Sequence, residues 1–244
     1  AFYISTPEEK AELLSELGVD FVITQKFDLE LSRVEAPEFL ARLTQQLGFG
    51  ALWAGEDFAI GYQRRGNRHF LQKASEEQGF EFHLVEPFKL EGEIVSSTRV
   101  RESLRSGDVA RVAKYLGRPF ELPGIARQGA GRGRQLGIPT ANLELWEERA
   151  YPARGVYACY ASVGDRRLQA VTNIGLRPTF EDELEAPIVE AHLLDFNEEL
   201  YGEEVRLTFV DRLRDERKFE GPQALLEQIE RDVSRAREIL RRSD

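Results

Sequence analysis

The hydrophobic period changes at Gly117-Arg118-Pro119, and this change limits what each half can fold into. Before it, apolar residues recur at helical spacing, in segments separated by short β-forming runs. After it, alternation of period two dominates, with Gly, Pro and Asp between the runs. A helical stripe and a two-residue alternation bury their apolar faces in different ways, so the halves call for different architectures. We expect one domain over residues 1–117 and a second over residues 118–244. A chain of 244 residues has room for both, at roughly 100–200 residues each.

The first half alternates helix and strand. Thr6-Pro7-Glu8-Glu9 reads as an N-cap, a proline at the first helical position and a glutamate at the third, a capping box. Leu13, Leu14 and Leu17 follow at helical spacing, and Gly18 stands where a helix-terminating glycine belongs. Residues 20–24 then read as a short buried strand. A second helix starts near Pro37, with Phe39, Leu40, Leu43 and Leu47 on one stripe and Gly48 after it. Residues 51–54 read as a strand, 69–77 as a helix and 80–85 as a strand. Such units predict a parallel, Rossmann-like α/β sheet. Ser96-Ser97-Thr98 opens a further helix through Val100 and Leu104, Gly107-Asp108 breaks it, and a short helix reaches Leu116.

The second half reads as β. Residues 155–163, 168–174, 188–194 and 204–212 alternate or carry β-formers, which predicts an antiparallel sheet or small β-barrel. After Gly221-Pro222, Leu225, Leu226, Ile229, Val233, Ala236 and Leu240 form one stripe of a long C-terminal helix that packs against the barrel.

Composition narrows the partners. Hydrophobic residues at 41% and aromatics at 10% suffice for real cores. A net charge of -10 disfavours generic nucleic-acid binding, which relies on neutralising phosphates. Cys159 is the only cysteine, so there is no intrachain disulfide and no cysteine-based metal cluster. The sequence has no apolar run of 18 residues and no signal-peptide pattern, so a soluble, cytoplasmic protein with no membrane partner is expected. It also has no methionine and opens at Ala1-Phe2-Tyr3-Ile4, from which we expect sequence to be missing upstream.

Four constellations suggest chemistry. Residues 129–142 pack Gly129, Gly131, Arg132, Gly133, Arg134 and Gly137 before Pro139-Thr140-Ala141-Asn142. Glycines let backbone N–H groups approach an anion, and arginines add charge-assisted bonds. Thr140 and Asn142 offer oxygens of the kind Mg²⁺ takes beside phosphates. No Gly-Lys-Ser/Thr follows, so this is not a Walker A loop; its plain alternative is a flexible basic surface loop. Glu190 is the candidate base. In residues 188–194 one strand face is Val189, Ala191 and Leu193, and the other carries Glu190 and His192. A solvated strand glutamate is the plain alternative. Ser97, Thr98 and Arg101 stand at a helix N-terminus, which binds phosphate, although capping alone accounts equally well for the two hydroxyls. Arg214, Lys218 and Phe219 precede the last helix and suit a planar or anionic ligand; a polar loop is the alternative. His69, His83 and His192 show no metal-ligand spacing.

These residues resemble the bacterial bifunctional riboflavin kinase/FMN adenylyltransferase (FAD synthetase) family over nearly the whole chain. The resemblance is carried by Ala54-Gly55-Glu56-Asp57-Phe58, Ser96-Ser97-Thr98-Arg99-Val100-Arg101, Leu136-Gly137-Ile138-Pro139-Thr140-Ala141-Asn142, Val171-Thr172-Asn173-Ile174-Gly175-Leu176-Arg177-Pro178-Thr179-Phe180, Val189-Glu190-Ala191-His192 and Leu200-Tyr201-Gly202. It implies a Rossmann-like nucleotidyltransferase domain, then a β-barrel kinase domain with a C-terminal helix. The barrel would phosphorylate riboflavin with ATP, giving FMN, and the first domain would adenylylate FMN, giving FAD and pyrophosphate. Glu190 matches the family's base for the ribityl hydroxyl. Thr140 and Asn142 match Mg-ATP ligands, and residues 129–137 match the phosphate cradle. Asn173, Arg214 and Phe219 fall in flavin-site segments, and Asp57, Ser97, Thr98 and Arg101 in nucleotide-site segments of the transferase half.

The family's transferase half opens with a strand and a His-x-Gly-His motif, and this sequence contains no His-x-Gly-His. We therefore expect a competent kinase half, an impaired transferase half as the sequence stands, and exposed apolar surface open to self-association. Two other classes remain alongside: a non-catalytic flavin- or nucleotide-binding regulatory module, and a nucleic-acid-binding barrel, which the acidic charge disfavours.

Overall fold

A computed structural model of the chain describes residues 2–128, 138–177 and 186–242. The chain forms two compact units, one of residues 11–95 and one of residues 1–10 with 96–244.

The 11–95 unit is α/β. Helix α1 (Pro7–Glu16), whose last residues belong to this unit, is followed by α2 (Ala36–Leu47), strand β1 (Ala51–Gly55), α3 (Arg68–Gln78) and β2 (Glu81–Val85). The capping box is realised in both directions, with Glu9 N donating to Thr6 Oγ1 at 3.2 Å and Thr6 N to Glu9 Oε2 at 2.6 Å. Strands β1 and β2 pair in parallel through the α3 crossover, a β–α–β unit of the Rossmann kind. Leu40 of α2, Leu71 and Ala74 of α3, Ile60 and Phe80 form its core. Gly61 closes that core against α2. Its φ is +72°, and a Cβ there would stand 2.3 Å from the backbone nitrogen of Ala36, so only glycine fits. A short hairpin, β3 (Lys89–Leu90) and β4 (Glu93–Ile94), completes the unit.

One expected element is absent. Residues 20–24 are irregular rather than a strand, with Phe21 at 86% and Ile23 at 69% exposure. An apolar run becomes a strand only where a neighbour completes its hydrogen-bond ladder. Among the described residues, no strand pairs with it.

The other unit begins with α4 (Ser97–Ser106) and α5 (Val109–Leu116), then closes a six-stranded barrel. Its strands are β5 (Phe120–Arg127), β6 (Ala141–Glu144), β7 (Gly155–Val163), β8 (Arg166–Arg177), β9 (Ala186–Leu193) and β10 (Glu204–Arg214). They run β10-β5-β6-β9-β8-β7 around the barrel, each pair antiparallel, and β7 closes onto β10. Strands β5 and β6 were not expected from the sequence. The fully buried Phe120, Leu122, Tyr157, Ile174, Leu207 and Phe209 fill the interior. The alternate face of β7, with Val156, Ala158 and Tyr160, turns outward and is covered by helix α6 (Pro222–Arg241) through Val233, Ala236 and Leu240. No helix of the described residues is long and apolar enough to cross a membrane.

Candidate active site on the outer face of the barrel

Strand register places the polar residues. Asn142 of β6 stands opposite Glu190 of β9, and Glu190 stands opposite Asn173 of β8. Residues directly opposite in a ladder share a face, so the three side chains form one row. On β9 itself, Val189, Ala191 and Leu193 are 0%, 0% and 3% exposed and point into the barrel, while Glu190 and His192 stand half-buried on the other face. His192 Nδ1 lies 2.9 Å from the carbonyl oxygen of Pro139, which ties the 139–142 segment to β9. Thr140 comes just before β6 and Asn142 lies within it.

The row continues away from β6. Asn173 pairs with Val156 of β7, and Val156 with Arg214 of β10. With neighbouring strands about 4.8 Å apart, three steps put the backbones of Glu190 and Arg214 about 14 Å apart. The segment after β10 folds back over this stretch. A side chain at Gly175 would meet Glu216 Oε1 at 2.8 Å and Asn173 Nδ2 at 3.7 Å, so the glycine admits the Glu216 carboxylate beside Asn173. The Cζ atoms of Arg214 and Arg217 lie 5.6 and 4.8 Å from the centre of the Phe219 ring. Arg214 does not point to open solvent: its Nη2 meets Asp232 Oδ2 of α6 at 2.8 Å.

On the β6 side of Glu190 a pocket opens between residues 139–142 and residues 196–201. Phe196 and Tyr201 give it apolar surface, and Arg127, Thr140 and Asn142 give it polar groups. Its outer wall is braced from β8, where Arg166 Nη1 meets Glu198 Oε1 at 2.7 Å and the Arg166 guanidinium lies 4.9 Å from the centre of the Phe196 ring. The hydrogen bond from Arg166 holds the Glu198 carboxyl below the usual carboxylate range. Phe196 and Arg127 escaped sequence reasoning. The one signal was the aromatic-rich return before Gly202, whose φ of +86° turns the chain into β10.

The remaining expected residues are distributed as follows. Gly129, Gly131, Arg132, Gly133 and Gly137 lie outside the described residues. Ser96, rather than Ser97 or Thr98, caps α4, its Oγ accepting from Arg99 N at 3.4 Å. Capping therefore does not account for Ser97 and Thr98, which stand exposed in the first turn. Arg101 Nε donates to the Phe2 carbonyl at 2.8 Å. Asp57 follows β1 in the 11–95 unit, whereas Ser97, Thr98 and Arg101 belong to the barrel unit.

Comparison with known proteins gives a consistent result. The riboflavin kinase family model matches residues 116–240, and the FAD synthetase model residues 1–99. A bifunctional riboflavin kinase/FMN adenylyltransferase of Pseudomonas fluorescens is 39% identical over 223 residues, 91% of this chain and 71% of that protein. The enzyme of the same name from Escherichia coli K12 is 36% identical over 95% of this chain and 74% of its own length. A solved structure titled as a macrolide-efflux protein from Streptococcus pneumoniae superposes with a TM-score of 0.87 at 30% identity, covering 97% of this chain and 76% of that one.

Proposed function

The chain belongs to the bifunctional riboflavin kinase/FMN adenylyltransferase family, and we propose that the two activities divide between residues 118–244 and residues 1–117. It acts in FAD biosynthesis, phosphorylating riboflavin to FMN with ATP and adenylylating FMN to FAD with release of pyrophosphate.

The kinase reading rests most on the register row that sets Asn142, Glu190 and Asn173 side by side. Phosphoryl transfer asks little covalent chemistry of a protein; it asks for position and charge stabilisation. We assign ATP to the pocket between residues 139–142 and 196–201, its base against Phe196 and Tyr201 and its phosphates toward Thr140 and Asn142. Gly129, Gly131, Arg132, Gly133 and Gly137 complete the cradle in this reading. The hydroxyl of Thr140 and the carboxamide oxygen of Asn142 are hard donors that would hold Mg²⁺, which neutralises charge on the β- and γ-phosphates. Riboflavin lies along the other arm of the row, its ring system toward Arg214 and Phe219 and its ribityl tail past Asn173. The terminal ribityl hydroxyl then reaches Glu190, which accepts its proton as the oxygen attacks the γ-phosphorus in line and ADP leaves. In the transferase half, Asp57, Ser97, Thr98 and Arg101 are assigned to nucleotide contacts. ATP as the phosphoryl donor supports a reaction in the cytoplasm, and the net charge of -10 supports a protein without a nucleic-acid partner.

The test is direct: incubate the 244-residue chain with riboflavin and Mg-ATP and separate the flavins by chromatography. FMN is expected. A folded sample that binds riboflavin with nucleotide and forms no FMN would support the regulatory binding module instead. The placement of the ATP purine carries its own check. Tyr201→Ala is expected to raise the KM for ATP about tenfold, since one base–aromatic stack is worth roughly 1–3 kcal/mol. Steady-state rates with ATP varied would show it, with the KM for riboflavin held within about twofold.

A further inference from the structure

Helix α6 docks on the barrel through an apolar stripe, and one carboxylate interrupts it. Asp232 lies three residues after Ile229 and four before Ala236, on the face that the stripe presents to the barrel, and is 5% exposed. A buried carboxylate in an apolar contact is costly unless it is paired and hydrogen-bonded. Asp232 is both. Arg214 Nε donates to its two oxygens at 3.1 and 2.9 Å, Arg214 Nη2 approaches Oδ2 at 2.8 Å, and Gln228 Nε2 donates to Oδ1 at 2.7 Å.

This geometry fixes the guanidinium. Its Nε and Nη2 edge is turned to Asp232, and Nη1 donates to the Asp215 carbonyl at 3.0 Å. Gln228 extends the same network to Arg217, whose Nη2 donates to Gln228 Oε1. Both arginines that flank the Phe219 ring are thus held from α6, one by Asp232 and the other through Gln228. Docking alone needs none of this, because Val233, Ala236 and Leu240 already bury the helix.

We propose that Asp232 is a positioning residue for the flavin: it sets the Arg214 guanidinium and the Phe219 ring at the far end of the row that starts at Glu190. The inference rests on the kinase reading above. A fork held on two sides loses little freedom when a planar ligand settles beside it, so the gain appears as riboflavin affinity. It does not appear in the chemical step, which takes place at Glu190, nor in the ATP pocket on the opposite side of Glu190.

The test is a kinetic cycle on the full chain with Asp232→Asn, Arg214→Gln and the double variant, riboflavin and ATP varied separately. Asp232→Asn is expected to raise the KM for riboflavin about tenfold, with kcat and the KM for ATP within about twofold of the starting protein. The double variant is expected to match Arg214→Gln alone, because the carboxylate acts through the guanidinium. An unmoved riboflavin KM, equal losses for both substrates, or effects that simply multiply in the double variant would each overturn the proposal and leave a docking ion pair. If Asp232→Asn does not fold, Asp232→Glu keeps the charge but displaces it by one methylene. A selective rise in its riboflavin KM supports the proposal, and an unmoved one overturns it. Failure of the kinase reading itself looks different: the unsubstituted chain then makes no FMN.

Discussion

Glu190→Gln is expected to lower kcat for FMN formation by about 10²–10⁴-fold while riboflavin still binds, the loss that follows removal of a positioned general base. Glutamine keeps the shape and one acceptor oxygen but cannot take the proton. The backbone around it is held mainly by other groups. Val189 and Ala191 are 0% exposed and hold β9 by burial, and the ladders to β6 and β8 are backbone bonds. The variant should therefore melt within a few degrees of the starting protein. Stopped-time assays with chromatographic separation give kcat, and quenching of flavin fluorescence gives riboflavin binding. Turnover within about threefold of the starting protein would end the base assignment. Loss of binding together with turnover would make Glu190 a flavin ligand instead.

What was legible in the sequence, and what was not, follows from the range of the forces involved. The outward direction of Glu190 and His192 came from period-two alternation, a local property of residues 188–194. Their neighbours did not, because register is set by strands distant in sequence. Nothing local says that Asn142, 48 residues earlier in the numbering, stands opposite Glu190. Strand β5 carries Pro123 and Gly124, residues that weaken a strand pattern. In the barrel Pro123 pairs with Arg206, and Gly124 is small because a Cβ there would stand 3.0 Å from the Glu144 carbonyl oxygen. Residues 20–24 show the opposite error, since β-forming composition is not a strand without a partner for its ladder. Asp232 escaped the sequence reading, which followed only the apolar stripe of α6, and its partner, Arg214, is found only once the helix is docked on the barrel.

A buried charge with a large expected effect on stability lies away from the candidate site. Arg149 and Glu9 form an ion pair at 2.9 Å with side chains only 2% and 8% exposed. Arg149 also donates to the carbonyls of Ile4 and Glu121 and lies over the Phe120 ring, its Cζ 5.2 Å from the centre. The chain around Arg149 pairs with residue 3 as well: Tyr3 N donates to the Glu148 carbonyl and Ala150 N to the Tyr3 carbonyl, each at 2.7 Å. One buried cation thus pins residues 3–9 to the barrel. Burial pushes Arg149 down to about 10, which leaves it protonated at neutral pH. Its folded value is depressed below the ordinary one, so the folded state gives up this proton first. Any pH-dependent gain from Arg149 appears only as pH climbs above about 10, and its charge is constant between pH 6 and 8.

Glu9→Gln is therefore expected to destabilise the barrel unit by about 3–5 kcal/mol, because it strands a buried cation. That is a large part of a typical total of roughly 5–15 kcal/mol. Arg149→Met combined with Glu9→Gln is expected to cost clearly less than Glu9→Gln alone, since an apolar side chain over Phe120 removes the stranded charge. The unit carries its own reporter: Trp146 stacks on Tyr3 at 5.4 Å, and Trp53, the other tryptophan, lies in the 11–95 unit. In a Trp53→Phe background, urea titrations followed by Trp146 emission measure the release of residues 3–9 directly. Equal losses in the single and double variants would mean that lost packing, rather than the unpaired charge, sets the cost.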